Sequence, residues 1–174
     1  MRARLPLLLA LAVAACAGPP PPAPRPAPRV PLPIPRPAPP PALGADWRDW
    51  PLTPGTWAYR RDARGSIALF GSPNGDAAVT LRCDLGRRQL FLSRAGGAAA
   101  PLTIRTSSTT RTLQALPVGG DGLPYIAAAL APSDQLLDAM AFSRGRFVIE
   151  QPHSPPLVIP AWAEIGRVTE DCRG

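Results

Sequence analysis

SIALFGSPNGDAAVTLRCDLGRRQLFLS, residues 66–93, holds three short apolar runs separated by two turn signals. Ser66 to Phe70 and Ala77 to Cys83 flank Ser72-Pro73-Asn74-Gly75-Asp76. Asn-Gly between apolar runs is a strong hairpin signal, here inside a longer loop. In the second run Val79, Leu81 and Cys83 share one face, while Ala78, Thr80 and Arg82 share the other. That period of two sends Cys83 to the buried side. Asp84-Leu85-Gly86-Arg87 then turns the chain into Arg88 to Ser93, where Leu90 and Leu92 point inward. Three strands with alternating faces and tight connections predict antiparallel pairing.

Working outward, the same grammar continues. Thr56 to Arg60 is a candidate first strand, and Leu102 to Thr106 alternates with Leu102 and Ile104 inside. A polar turn, Thr106 to Thr110, leads to Arg111 to Leu116, and Gly119-Gly120-Asp121-Gly122 marks another loop. Tyr125 to Leu130 carries three alanines and reads as strand or helix. Pro132-Ser133-Asp134 looks like a helix start with a side-chain cap, followed by Leu136, Leu137, Met140 and Ala141 on one apolar face. Arg144-Gly145-Arg146 suits its end: glycine for a left-handed cap, arginine beside the negative C-terminus. Phe147 to Glu150 and Leu157 to Ile159 are two further strands. Trp162, Ile165, Val168 (or Thr169) and Cys172 recur at near-helical spacing, predicting a short C-terminal helix that carries Cys172 toward Cys83. Six to eight short strands with frequent turns predict a mainly β domain, a small β-sandwich or barrel with one or two short helices. An α+β layer fold is the second choice.

The N-terminal third has a different character. Met1 to Arg4 is basic, and Leu5 to Ala15 is an apolar run too short to span a bilayer as a stable helix. Residues 1–15 therefore read as a signal peptide. The run ends at Val13-Ala14-Ala15-Cys16, which resembles the cleavage site of Gram-negative bacterial lipoproteins. The resemblance implies that Cys16 is lipidated and becomes the first mature residue, anchoring the protein in a membrane of the cell envelope. Ala17, where an aspartate would retain a lipoprotein at the inner membrane, implies the outer membrane, facing the periplasm. Ala12-Val13-Ala14 also fits ordinary secretory cleavage, which would leave Cys16 a stray thiol. Residues 16–44 form a Pro-rich linker, expected to be disordered, with fourteen prolines between Pro19 and Ala42. Proline fixes φ and removes a donor, so the expected state is polyproline II. At about 3.1 Å per residue such a tract spans roughly 70 Å, a stand-off spacer. Residues 45–174 remain as a single β-rich globular domain.

If Cys16 takes lipid, Cys83 and Cys172 are an even pair in an oxidising compartment, which favours one disulfide between them. A loop of that length stabilises by roughly 4–5 kcal/mol in the chain-entropy treatment. Two buried free thiols are the alternative.

The net charge of +7 is misleading. The chain has no lysine; five of its nineteen arginines precede the domain, whereas all twelve carboxylates lie within it. Interspersed charge without a basic stripe argues against a nucleic-acid partner. The single histidine, His153, sits among prolines and reads as a surface residue. The sequence contains no nucleophile elbow, zinc-protease helix, phosphate loop or dinucleotide fingerprint. Catalytic residues, metal and cofactor are all expected to be none. Asp134 and Asp138 lie four apart, as paired carboxylates of a hydrolase would, but more often as a solvated helix face.

Two groups are candidates for ligand binding. Arg82 and Arg105 lie on outward faces beside Thr80 and Thr103. Were their strands neighbours, guanidinium forks and hydroxyls would form a platform for anionic or sugar ligands; salt bridges to Asp or Glu are the plainer role. Trp47, Trp50 and Trp57 cluster at the start of the domain and would form a stacking patch if exposed. Asp46 to Pro51 reads as an ordered lead-in, with two of the three buried. The expected function is a non-enzymatic binding or structural module of the envelope, with peptidoglycan or an envelope protein as partner. Small lipoprotein inhibitors of lysozyme are similar in general pattern, so an inhibitor of a wall-degrading enzyme or protease is the first alternative. A carboxylate-based wall hydrolase is the second.

Overall fold

Nine strands form one antiparallel sheet in this computed structural model, which describes residues 43–119 and 122–174. The signal peptide, Cys16 and nearly all of the Pro-rich linker lie outside the described residues. The strands are β1 Thr56–Asp62, β2 Gly65–Gly71, β3 Ala77–Asp84, β4 Gln89–Ala95, β5 Ala100–Arg105, β6 Thr110–Val118, β7 Tyr125–Leu130, β8 Arg146–Glu150 and β9 Leu157–Pro160. Helix α1 (Gln135–Ala141) precedes β8, and α2 (Ala163–Arg173) closes the chain. The count is nine rather than six to eight because Tyr125–Leu130 pairs as a strand between β4 and β6, its alanines notwithstanding. A central, two-sided position overrides the weak strand propensity of alanine.

The sheet order is β1-β2-β3-β4-β7-β6-β5-β8-β9. Strand β6 changes partner along its length: Thr110 to Ala115 pair with β5, and Leu116 to Val118 with β7. This handover folds one sheet into two sandwich-like halves around a shared core. The ring is not closed by a ladder between β1 and β9. Three hydrogen bonds bridge the gap: Trp57 Nε1 donates to the Pro160 carbonyl at 2.9 Å, Thr53 N to the Val158 carbonyl at 2.9 Å, and Val158 N to Thr53 Oγ1 at 2.9 Å. The expected sandwich or barrel is thus an unclosed sheet with bridged edges.

Inward residues follow the predicted alternation: Phe70 of β2, Leu81 and Cys83 of β3, Leu90 and Leu92 of β4, Leu102 and Ile104 of β5, all at most 2% exposed. Strand β8 is buried on both faces. Phe147 and Ile149 enter the main core, while Val148 packs outward with Val158 under Trp47. The tight β1–β2 turn needs Gly65, at φ 140°, because a Cβ there would meet the Cys83 carbonyl oxygen at 2.6 Å.

Asp134 caps α1 by accepting from Leu136 N at 2.9 Å, and Gly145 adopts φ 75° beyond its end. In α2, Ile165, Val168 and Thr169 are buried. Trp162 does not belong to that stripe; it is the N-cap residue and is half exposed. Cys172 and Cys83 form a disulfide with Cα atoms 5.4 Å apart, within the ordinary range, so the last turn of the chain is pinned to the inner face of β3.

Candidate functional site

The outer face of β2, β3, β4 and β7 carries a cleft of about 520 Å³. Register explains its floor. Leu69, Thr80, Ser93, Ala127 and Leu116 are successive cross-strand partners and form one transverse row. The next row is Ile67, Arg82, Phe91 and Ala129. Small side chains at Thr80, Ser93 and Ala127 leave a trough between bulkier neighbours. Val118 and Leu123, large and exposed, rise from the β6–β7 hairpin as one wall. Tyr125 closes the end near the β2–β3 loop, its hydroxyl donating to the Ala77 carbonyl at 2.6 Å. Burial and the charge of Asp76 push that phenol above its ordinary pKa.

Charge is arranged lengthwise. At one end stand three arginines. Arg82 makes a two-pronged pair with Asp62, at 3.1 and 2.8 Å, and Arg64 reaches Asp84 at 2.7 Å. Those hydrogen bonds hold both carboxyls below the usual carboxylate range. Arg87 has no carboxylate partner among the described residues; its guanidinium lies 5.7 Å from the centre of the Phe91 ring. At the other end Asp76 is exposed and unpaired among the described residues. Between them the Ser93 side chain lines the cleft in a residue only 8% exposed, with no hydrogen bond among the described residues.

Only one of the sequence candidates for ligand binding lines this cleft. Arg82 does, although its fork is engaged by Asp62. Arg105 lies elsewhere: β3 and β5 are separated by β4, β7 and β6, so the joint platform does not exist. Arg105 pairs with Glu150 at 3.1 Å, and Thr103 Oγ1 shares a hydrogen bond with Thr112 Oγ1 at 2.9 Å. The tryptophans form no common stacking patch either. Trp57 is in the core, tilted against Phe70 at 5.3 Å, and Trp47 is buried over Val148 and Val158. Trp50 is half-buried, with its indole N–H donating to the Gly44 carbonyl at 2.6 Å. Trp47 and Trp50 clamp the lead-in onto β8 and β9, and Trp57 ties β1 to β9 instead. Gly44, assigned to the linker from sequence, is therefore tied to the domain.

Arg87, Phe91, Ser93 and Asp76 escaped sequence reading. Asp84 to Arg87 read only as a turn, and pairing Leu81 with Leu92 would have set Phe91 beside Arg82.

Several other ionisable groups have structural partners, whereas Glu164 Oε2 is buried without one among the described residues. Asp134 is held by Arg111 at 2.7 and 2.8 Å, and Asp138 by Arg173 at 2.9 Å. Beside the disulfide, Asp171 accepts from the Tyr59 hydroxyl at 2.5 Å and from Arg61 at 2.6 Å. Burial works to raise its pKa, but the hydrogen bonds from Tyr59 and Arg61 outweigh it and hold the carboxyl below its ordinary value. His153 is exposed in the β8–β9 loop. No three His, Cys, Asp or Glu side chains converge on a common point among the described residues. No protein-family model, no curated protein and no solved structure matches the chain.

Proposed function

We propose that this is a lipid-anchored lipoprotein of the bacterial envelope, sited at the outer membrane and facing the periplasm. Its β domain is a non-enzymatic binding module held off the membrane by a stiff Pro-rich spacer. The observation that carries the reading is the pairing of Cys83 with Cys172. It consumes two of three cysteines and leaves Cys16, at the end of an apolar leader, as the odd one. A disulfide suits an oxidising compartment, and a lone cysteine at a lipobox suits an acyl anchor. A lipidated terminus bearing several chains holds a membrane stably, whereas a single chain would not. The cleft over β3 and β4 supplies the binding surface, of a volume usual for small-ligand sites.

Metabolic labelling with radioactive palmitate tests the anchor. The chain should incorporate label and fractionate with the outer membrane, and Cys16→Ser should release an unlabelled soluble form. Label retained in that variant, or none in the parent, refutes the lipoprotein reading. Co-sedimentation with isolated peptidoglycan sacculi tests the partner. Salt-resistant sedimentation makes the wall the partner, and a chain that stays in the supernatant makes it a protein of the envelope.

A further inference from the structure

Among the described residues, two charges of opposite sign without an ion-pair partner stand at the two ends of the cleft, and the hydroxyls of Thr80 and Ser93 lie on its floor. We infer that the cleft takes a short extended peptide of five to six residues, its carboxylate at Arg87 and its amine at Asp76. The inference rests on the reading of the domain as a binding module and names its ligand class.

Length comes first. Asp76 precedes Arg82 by six residues, and Arg82 is the partner of Phe91, over which Arg87 lies. At about 3.3 Å per residue the two ends are roughly 20 Å apart, the span of about six extended residues. Polarity comes second. The Ser93 and Thr80 side chains lie side by side on the cleft floor and offer two hydroxyls to an occupant. A hydroxyl there both donates and accepts, so it matches either polar group of a peptide backbone. A peptide backbone supplies donors and acceptors along its whole length, and the apolar wall of Val118 and Leu123 receives its side chains.

Charge discriminates against the other occupants. Among the described residues a polyanion would meet one guanidinium without a carboxylate partner, because Asp62 and Asp84 already pair with Arg82 and Arg64, and Asp76 would repel it. An amphiphile headed at Arg87 would lay its alkyl tail toward Asp76 and desolvate a carboxylate. A zwitterion satisfies both ends at once.

Penta-alanine titrated into the purified full chain, followed by calorimetry, tests this. The peptide with both termini free should bind. C-terminal amidation and N-terminal acetylation should each weaken binding by about tenfold, the usual worth of one charge-assisted contact. In Arg87→Gln the amide and the free acid should bind alike, and in Asp76→Asn the acetylated and free amines should bind alike. Both positions are exposed, so an unchanged thermal midpoint shows the fold intact. Equal binding of blocked and free peptides, no binding at millimolar concentration, or uptake of dodecanoate in the peptide's place overturns the inference. A chain that ignores the peptide but sediments with sacculi loses this ligand class and keeps the proposed function. A chain that binds the peptide without incorporating palmitate loses the anchor and keeps the ligand class.

Discussion

Thr80-Leu81-Arg82 in β3 and Thr103-Ile104-Arg105 in β5 carry the same alternation, a hydroxyl and a guanidinium outward around a buried aliphatic. Their surroundings differ completely. Beside Thr80 lie Ser93 and Leu69, and a hairpin wall rises one strand beyond Ala127. Beside Thr103 lies Thr112, which takes its hydroxyl, while Glu150 takes Arg105. One motif lines an open cleft and the other is stitched shut. A strand's outward residues acquire a role only from the strands that flank it, and flanking strands are chosen by topology.

The two regions also differ in what backs them, and this gives the largest expected effect. Behind the cleft, α2 is joined covalently to β3; behind β5 and β8 there is packing alone. Replacing both Cys83 and Cys172 by alanine should lower stability by about 4–5 kcal/mol, read from urea unfolding. Hydrogen exchange in that variant should rise more across β2–β4 than across β5 and β8. An equal rise would show one cooperative unit and dissolve the contrast.

Arg94 couples the two regions. It is 5% exposed, projects inward from β4, and donates to the carbonyls of Ile149 at 2.9 Å and Pro155 at 2.5 Å. Burial pushes its pKa down, yet a guanidinium keeps its proton at neutral pH. Arg94→Ala should cost about 2–4 kcal/mol, since two carbonyls lose a charged donor. A loss under about 1 kcal/mol would mean that the shared core and the β6 handover couple the halves without Arg94.

Asp134→Ala removes the cap of α1 together with the Arg111 pair, for an expected loss of about 1–2 kcal/mol in the same unfolding assay. The sign of its pH dependence follows from its depressed pKa, set first by the Arg111 hydrogen bond. A carboxylate with a folded pKa below the unfolded value of about 3.9 contributes fully above that value. The contribution is lost as pH falls through the lower, folded value. Asp171 acts in the same direction. Stability should therefore hold down to about pH 4 and fall below it, less steeply in Asp134→Ala. A fall beginning near pH 6 would exclude these carboxylates as the cause.

The smallest effects sharpen the opening contrast most directly. Arg82→Ala and Arg105→Ala should each change stability by less than about 1 kcal/mol, because both pairs are solvent-screened. Only Arg82→Ala should alter peptide binding. Equal loss of binding in both variants would move the ligand off the cleft.

Local chemistry settled a good deal in advance. Period-two alternation placed Cys83, Leu90 and Leu92 inside, because an extended chain turns successive side chains to opposite faces. Helix capping placed Asp134, and hydrophobic spacing brought Cys172 back toward Cys83. Turn residues marked where strands end, since they encode backbone angles that neighbours alone determine. What escaped was everything nonlocal. Tyr125–Leu130 became a strand because β4 and β6 flank it. Burial of two of the three tryptophans was legible, but not that Trp47 covers Val148 and Val158 while Trp57 enters the main core. The continuous β2–β4 segment supplies most of the cleft floor, but its fourth strand and its hairpin wall come from β7 and the β6–β7 connection more than twenty residues further on. The pairing order of strands far apart in the chain depends on how whole faces pack against one another, so the tertiary structure alone separated Arg82 from Arg105 and raised the Val118 and Leu123 wall over the β2–β4 meander.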